Sequence, residues 1–239
     1  MESLKGRRVI VTGASKGIGR AIAERLADEG ARLAILARSK DRLNECQAGC
    51  AERGAECEAI VSDVADAASV SSAMNVALEW LGGVDVLVNN AGVGYFGSIE
   101  ELDIEQFDEM VGTNLRGVYL CSRAVVPRMK SDGGGVIINI ASIAGKNGFK
   151  GGSGYSASKF GVMGMTECMS LDLRPHNIRV AAICPGSVNA PDFRAGRSGH
   201  IAESNMIQAS DVAEAVVYIA SQPPRIFIRE LEIRVTNPS

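Results

Sequence analysis

The sequence RVIVTGASKGIG, at residues 8–19, joins an apolar run to three glycines in the spacing G-x-x-x-G-x-G. The β-branched run at 8–12 predicts a buried strand, and apolar residues at helical spacing over 18–29 predict a helix directly after it. Between them, Gly13 permits a sharp turn, Gly17 lets backbone N–H groups approach a pyrophosphate, and Gly19 lets helix and strand pack closely. Because a helix N-terminus also carries partial positive charge, the stretch predicts a dinucleotide-binding turn.

Strand and helix patterns alternate along the rest of the chain. The apolar runs are continuous, which is typical of a parallel sheet covered by helices. We therefore predict an α/β protein: a single doubly wound Rossmann domain over 1–239, with a seven-stranded parallel sheet and helices on both faces. The predicted strands cover 8–12, 32–37, 56–61, 84–88, 136–140, 178–183 and 231–235. The predicted helices cover 18–29, 40–53, 67–80, 104–129, 155–173 and 211–220.

One segment, 187–209, interrupts this alternation because it is polar and weakly periodic. A long structureless stretch in a compact domain is usually functional, so we predict a substrate loop here. Arg194 and Arg197 in this loop either meet an acidic substrate or lie in solvent, and His200 is a weaker candidate for a substrate contact. His176, which follows a proline before the sixth strand, is predicted to occupy a turn.

Composition limits the classes of partner. The chain has 239 residues, a net charge of −3 and a sequence pI of about 5.6, with no long run of Lys or Arg. These values argue against nucleic acid or an anionic membrane as the main partner. No apolar run approaches the roughly 20 residues that span a bilayer. The N-terminal MESLKGRR lacks the apolar core of a signal peptide, so we expect a cytoplasmic protein without a membrane partner.

The six cysteines form no C-x-x-C pair, and no histidine stands near them to complete a metal-binding set. We therefore expect reduced thiols that serve packing, and no metal site. The cysteines are Cys46, Cys50, Cys57, Cys121, Cys168 and Cys184.

The end of the second predicted strand distinguishes between two cofactors. Dinucleotide folds that prefer NAD usually place an acidic residue here, whereas this strand ends Leu36-Ala37-Arg38. An arginine fork suits a 2′-phosphate, and Lys16 in the glycine turn can approach the same group. We therefore predict NADP(H) rather than NAD(H); the alternative is that both side chains are simply solvated.

Further motifs follow in order, and with them the chain resembles the short-chain dehydrogenase/reductase family over nearly its whole length. The matching positions are the glycine turn at 12–19, Asp63, NNAG at 89–92, Asn114, Ser142, Tyr155 and Lys159 within YSASK, and the pair Pro185-Gly186. Within that family, the chain resembles 3-hydroxy acid dehydrogenases and 3-oxoacyl-carrier-protein reductases. Its C-terminus lacks the V-D-G-G ending common in the 3-oxoacyl-carrier-protein reductases.

Tyr155 and Lys159 are four residues apart at the start of a predicted helix, so they share one face. A nearby ammonium favours a phenolate, which lets Tyr155 donate or accept a proton at neutral pH. The resemblance implies that Lys159 also holds the nicotinamide ribose, that Ser142 orients the substrate oxygen, and that Asn114 holds a water on the proton path.

The resemblance implies a cofactor site along the sheet edge, in which Asp63 contacts the adenine. Its predicted residues are Gly13, Ser15, Lys16, Gly17, Ile18, Gly19, Arg38, Asp63, Val64, Asn90, Ala91, Gly92, Tyr155, Lys159, Pro185, Gly186 and Val188. The family often has a threonine five residues after the motif proline, where this chain has Ala190. Either backbone groups near Val188 replace that contact, or the cofactor is held less tightly.

The function expected is an NADP(H)-dependent oxidoreductase that acts on a small carbonyl or alcohol. A 3-oxoacyl-carrier-protein reductase and, more remotely, a non-catalytic NADP(H)-binding regulator remain open. The substrate pocket is expected to involve residues 93–96 and the positions Ile143, Ala144, Gly148 and Phe149. Excess apolar positions on the helices at 104–129 and 155–173 predict a homodimer or homotetramer.

Overall fold

A computed structural model describes residues 1–189 and 205–236. These residues form a seven-stranded parallel sheet in the order β3-β2-β1-β4-β5-β6-β7. The strands are β1 (Arg8–Thr12), β2 (Arg32–Ala37), β3 (Cys57–Val61), β4 (Val86–Asn89), β5 (Gly135–Ile140), β6 (Ile178–Pro185) and β7 (Glu230–Ile233). The α-helices are α1 (Gly17–Asp28), α2 (Lys40–Glu52), α3 (Ala67–Leu81), α4 (Ile104–Met110), α5 (Gly117–Ser131), α6 (Ser153–Leu173) and α7 (Ala209–Ala220).

Two apolar layers enclose the sheet, and alternate side chains of β1 supply both of them. Val9 and Val11 pack on one face with residues of α1, α2 and α7. Ile10 packs on the other face with residues of α3 and α5. The α/β class with helices on both faces of a seven-stranded parallel sheet is thus confirmed. Within the described ranges no helix is long and apolar enough to cross a membrane.

The order of the strands positions the site. β1 pairs with β2 on one side and with β4 on the other, so the connections leave β1 and β4 in opposite directions. A cleft opens at the carboxyl ends of the strands at such a point, and ligands of open α/β sheets bind there.

A line of buried amides and hydroxyls crosses the sheet beneath this cleft. Asn89 of β4 and Asn139 of β5 are register partners, and the Asn89 amide donates to Asn139 Oδ1 at 2.9 Å and to Ser122 Oγ at 3.0 Å. The Asn139 amide donates to Thr166 Oγ1 at 2.8 Å. The line therefore ties two central strands to α5 and α6.

The helix predicted over 104–129 is interrupted, which is a correction. α4 and α5 are joined by a π-helical turn, Val111–Arg116, in which the Gly117 N–H donates to the Gly112 carbonyl, five residues back. A Cβ at Gly117 would lie 2.9 Å from Val64 Cγ2, so the chain passes close to the loop after β3 at this point. The apolar residues keep a helical spacing through this turn, so the sequence pattern does not indicate the additional residue.

The predicted loop at 187–209 is described only at its two ends. Val188 forms a parallel bridge with Ile207, and the Asn189 N–H donates to the Ile207 carbonyl at 2.8 Å. α7 begins within the predicted loop, where Gln208 and Asp211 form a reciprocal capping box. Ala190, Arg194, Arg197 and His200 lie outside the described residues.

Candidate active site

The glycine turn combines close packing with one open position. A Cβ at Gly19 would lie 2.2 Å from the Gly13 carbonyl oxygen, and a Cβ at Gly13 would lie 2.7 Å from Ala91 Cα. Gly17 has φ +52°, and a Cβ there would meet nothing within 4 Å. Gly13 and Gly19 therefore allow the chain segments to touch, whereas Gly17 leaves its surface open for a ligand to approach. Ser15 and Ile18 are half-buried beside it, and Lys16 is exposed.

The predicted NNAG motif is fastened to this turn by hydrogen bonds. Thr12 Oγ1 accepts from the N–H groups of Asn90 at 3.0 Å and Ala91 at 3.1 Å. The Asn90 side chain in turn donates to the carbonyls of Thr12 and Gly13, at 3.0 and 3.2 Å. The segments after β1 and β4 therefore form one rigid floor for the cleft.

The residues predicted at the adenine end lie on the loops after β2 and β3. Asp63 Oδ1 accepts from the Ala65 N–H at 2.9 Å, which fixes the carboxylate within its own turn. Val64 is buried next to Gly117. Arg38 is 60% exposed, and its Nη1 lies 3.3 Å from Oε1 of Glu109 on α4.

Lys159 is a buried cation at the centre of the cleft. Its Nζ donates to the Ile140 carbonyl at 2.9 Å, at the end of β5, and lies 5.9 Å from the centre of the Tyr155 ring. Burial lowers the pKa of Lys159 to about 8. Tyr155 is also buried, and Phe96 packs edge-on against its ring with centroids 5.6 Å apart.

Asn114 lies within the π-helical turn and is fully buried. Its Oδ1 accepts from the Val93 N–H at 2.8 Å, while its Nδ2 donates to the Val93 carbonyl at 2.9 Å and to Ser158 Oγ at 3.0 Å. A Cβ at Gly92 would lie 3.2 Å from Asn114 Oδ1 and 3.8 Å from Lys159 Nζ. Asn114, Gly92 and Lys159 therefore meet at one point.

Ser142 follows β5 on the same edge of the sheet. Its Oγ accepts from the Ala144 N–H at 3.1 Å, which caps a short 3₁₀ turn at Ile143–Gly145. Pro185, at the end of β6, is buried, and the N–H of Gly186 beyond it donates to the Ile233 carbonyl at 2.8 Å. These contacts hold the far wall of the cleft.

An apolar cluster surrounds Tyr155 and contains several of the predicted pocket residues. Met110 and Leu102 also belong to it, and the sequence had given no reason to include them, since their helical spacing suited a core position equally well. The cluster consists of Met110, Ala144, Tyr155, Val93, Tyr95, Phe96, Leu102 and Phe149.

The sequence also singles out His176 and the six cysteines. His176 lies in a turn, as predicted: it belongs to a 3₁₀ turn at Arg174–His176, and it is exposed. All six cysteines fall in the described part of the chain as thiols, four of them buried, with Cys57 intermediate and Cys168 exposed. Among residues 1–189 and 205–236, no group of three His, Cys, Asp or Glu side chains has a metal-binding arrangement.

Comparison with known proteins agrees with this geometry. Residues 7–200 match the family model for short chain dehydrogenases. The chain belongs to the short chain dehydrogenase family. This short chain dehydrogenase is 35% identical over 236 residues to the sepiapterin reductase of Chlorobaculum tepidum, with 96% of each chain covered. It is 37% identical over 229 residues to the 2-(R)-hydroxypropyl-CoM dehydrogenase of Xanthobacter autotrophicus, covering 90% of this chain and 92% of the relative.

Solved structures of other short chain dehydrogenases have the same fold. The alcohol dehydrogenase of Thermococcus sibiricus, complexed with 5-hydroxy-NADP, matches with a TM-score of 0.90 at 33% identity, covering 97% of each chain. A metagenomic short-chain oxidoreductase in complex with NADP matches with a TM-score of 0.86 at 35% identity, covering 99% of this chain and 100% of the other. The predicted family is thus confirmed; the narrower resemblance to 3-oxoacyl reductases stays a prediction.

Proposed function

We propose that this short chain dehydrogenase is an NADP(H)-dependent oxidoreductase of small carbonyl or alcohol substrates, with Tyr155 as the acid/base. The observation that carries the proposal is the buried Lys159 ammonium beside the Tyr155 ring at the carboxyl edge of the sheet. Burying a cation costs free energy, so proteins rarely do it away from functional sites. Groups with strongly shifted pKa values in a cleft are typical of active sites.

The glycine turn and the residues beyond it fit a dinucleotide. Gly17 presents an open backbone surface at the N-terminus of α1, where partial positive charge favours phosphates. Arg38 offers a mostly exposed guanidinium at the end of β2, which suits a 2′-phosphate. The two solved structures compared above are complexes with 5-hydroxy-NADP and with NADP, which supports the same cofactor here. When bound, the cofactor supplies or accepts a hydride at the substrate carbon.

Tyr155 supplies the proton. In the reducing direction its hydroxyl donates a proton to the carbonyl oxygen, and in the oxidising direction the phenolate accepts the alcohol proton. Lys159 favours the phenolate because an opposite charge nearby stabilises the ionised form. Since Lys159 Nζ donates to the Ile140 carbonyl, the ammonium is held in one position during this transfer.

Ser142 and Asn114 position the reacting groups. Ser142 Oγ accepts from the Ala144 N–H, which leaves its own O–H to donate, and we assign that hydrogen bond to the substrate oxygen. Both amide hydrogens of Asn114 are engaged within the protein, whereas its Oδ1 retains a second lone pair beside Gly92 and Lys159. That lone pair is suited to hold the water predicted on the proton path.

The test is a panel of ketones with NADPH and NADH, followed at the nicotinamide absorbance, and it includes 3-oxo acids and 3-oxoacyl thioesters. We expect turnover with a simple ketone and a preference for NADPH that Arg38→Asp abolishes or reverses. Lys130→Asp, on the exposed side of α5, is the matched control and should leave the preference unchanged. Turnover restricted to thioesters would favour a 3-oxoacyl reductase, and no oxidation of NADPH by any carbonyl would favour a regulator.

We also propose self-association, because large apolar side chains are exposed on the helices of one face. They are Ile104, Phe107, Tyr119, Phe160 and Leu171, each at least 40% exposed. Exposed apolar side chains on neighbouring helices are a feature of subunit interfaces. Light scattering should give the mass of a dimer or tetramer; a monomeric mass at micromolar concentration would contradict the proposal.

A further inference from the structure

One carboxylate, that of Glu109, joins two parts of the cleft. Its Oε1 lies 3.3 Å from Arg38 Nη1, at the end of β2. Its Oε2 accepts from the Tyr95 hydroxyl at 2.6 Å, in the segment after β4. The residue assigned to the 2′-phosphate and a residue of the apolar cluster around Tyr155 are therefore bound to the two oxygens of one side chain.

A second contact between Tyr95 and α4 and the charge of Arg38 both act on this arrangement. The next residue of α4, Met110, is fully buried and accepts from the Tyr95 backbone N–H through its sulfur at 3.4 Å. The hydrogen bond to Glu109 raises the pKa of Tyr95, and the positive charge of Arg38 opposes that shift. The three side chains thus influence one another electrostatically.

We propose that Glu109 competes with the cofactor 2′-phosphate for Arg38, and that the Tyr95 hydroxyl moderates this competition. The inference rests on the proposed use of NADP(H). Carboxylate and phosphate both accept from a guanidinium, so they are alternative partners of the same donors. Because Arg38 is 60% and Glu109 34% exposed, their ion pair is weak, and a phosphate with more charge can displace it.

Tyr95 sets the strength of the competitor. By donating to Glu109, its hydroxyl withdraws negative charge from the carboxylate and gives it a partner when Arg38 moves to the phosphate. Loss of the hydroxyl removes this donor and leaves a carboxylate that holds Arg38 more tightly. Glu109 and Tyr95 are therefore specificity-determining residues that act on the 2′-phosphate through Arg38.

Isothermal titration of the purified protein with two nucleotides tests the proposal without turnover. Adenosine 2′,5′-bisphosphate carries the 2′-phosphate, and 5′-AMP lacks it. We expect Glu109→Gln to tighten binding of the bisphosphate about three- to tenfold, because a negative charge near the phosphate is removed, and to change 5′-AMP affinity less than about twofold. The control Asp108→Asn, which removes the same charge from the exposed neighbouring position, should leave both affinities within about twofold.

A double-mutant cycle tests the role of Tyr95. Tyr95→Phe should weaken bisphosphate binding about two- to threefold in the wild-type background and have no effect in Glu109→Gln. A Tyr95→Phe effect that persists without the carboxylate, or a Glu109→Gln effect equal for both nucleotides, would overturn the proposal. Equal wild-type affinities for the two nucleotides would remove the 2′-phosphate site itself, whereas clear wild-type discrimination that Glu109→Gln does not change would overturn the competition alone.

Discussion

The Lys159 ammonium lies 5.9 Å from the centre of the Tyr155 ring while it donates to the Ile140 carbonyl at 2.9 Å. The two residues occupy one face of α6, four positions apart. The charge is thus held near the phenol by the end of a central strand, and the first two predictions concern this pair.

Replacing Tyr155 by Phe should abolish proton transfer without emptying the cofactor site. We expect kcat for ketone reduction to fall by about 10²–10⁴, the usual contribution of a positioned acid or base. The dissociation constant of NADPH, measured by nucleotide fluorescence, should stay within about threefold, because Phe keeps the ring and its contact with Phe96. Tyr218→Phe, on the exposed face of α7, is the control. A Tyr155→Phe enzyme within a few fold of wild type would show that another group supplies the proton.

The stability of the protein should rise with pH through Lys159. The unfolded chain keeps this proton up to the ordinary lysine pKa of 10.5, whereas the folded protein releases it at a pKa of about 8. Between these values the unfolded state binds more protons, so the unfolding free energy increases with pH. The unfolding free energy of the wild type minus that of Lys159→Met, measured by urea denaturation, should therefore increase by about 3 kcal/mol between pH 8 and pH 10.5. The corresponding difference for Lys130→Met should be flat. A flat difference for Lys159→Met would mean that the amine is solvated, and a falling one would mean that the folded protein favours its charged form.

Alanine substitutions at Gly19 and Gly17 should distinguish a glycine needed for close packing from one needed for cofactor binding. At Gly19 the new Cβ would lie 2.2 Å from the Gly13 carbonyl oxygen, and we expect a loss of about 3 kcal/mol of stability from overpacking. At Gly17 it would meet only open space, so the loss should be about 1–2 kcal/mol from the positive φ, with NADPH binding at least ~10-fold weaker. Gly6→Ala, also at positive φ with nothing within 4 Å, is the matched control for strain. Unchanged NADPH affinity in Gly17→Ala would remove this turn from the cofactor site.

The buried line across the sheet predicts a large effect from Asn139→Ala. This change removes one of the two acceptors of the Asn89 amide and the amide that donates to Thr166 Oγ1, and we expect a loss of about 3 kcal/mol in urea denaturation. Asn147→Ala, at an exposed position after β5, should stay within about 0.5 kcal/mol of wild type. Equal effects of the two substitutions would mean that the hydrogen bonds of Asn139 do not stabilise the folded protein.

Most of the strands were predictable because they contain continuous apolar runs, such as residues 9–11 of β1 and 33–37 of β2, whose pattern does not depend on their neighbours. β1 and β2 begin and end at the predicted residues, and β6 continues to Pro185, beyond the predicted end at 183. Local patterns carry this information because a strand buried on both faces needs apolar residues at every position.

The contacts that shape the site were not predictable in the same way. The π-helical turn ends where Gly117 lies close to Val64 in a distant segment, and the Glu109 contacts involve residues from three separate segments. The backbone partner of Lys159, the Ile140 carbonyl, leaves no signal in residue types. The motifs indicated which residues belong to the site, while their partners followed only from the packing of distant segments.

The π-helical turn at Val111–Arg116 also governs how homologous sequences should be aligned with this chain. Relative to a regular α-helix, such a turn contains one additional residue, and each residue of an α-helix advances by about 100° around the axis. A homologue with an uninterrupted helix therefore needs a one-residue gap inside this turn. A gap placed before α4 or after α5 would assign Asn114, or the whole buried face of α5, to the wrong column.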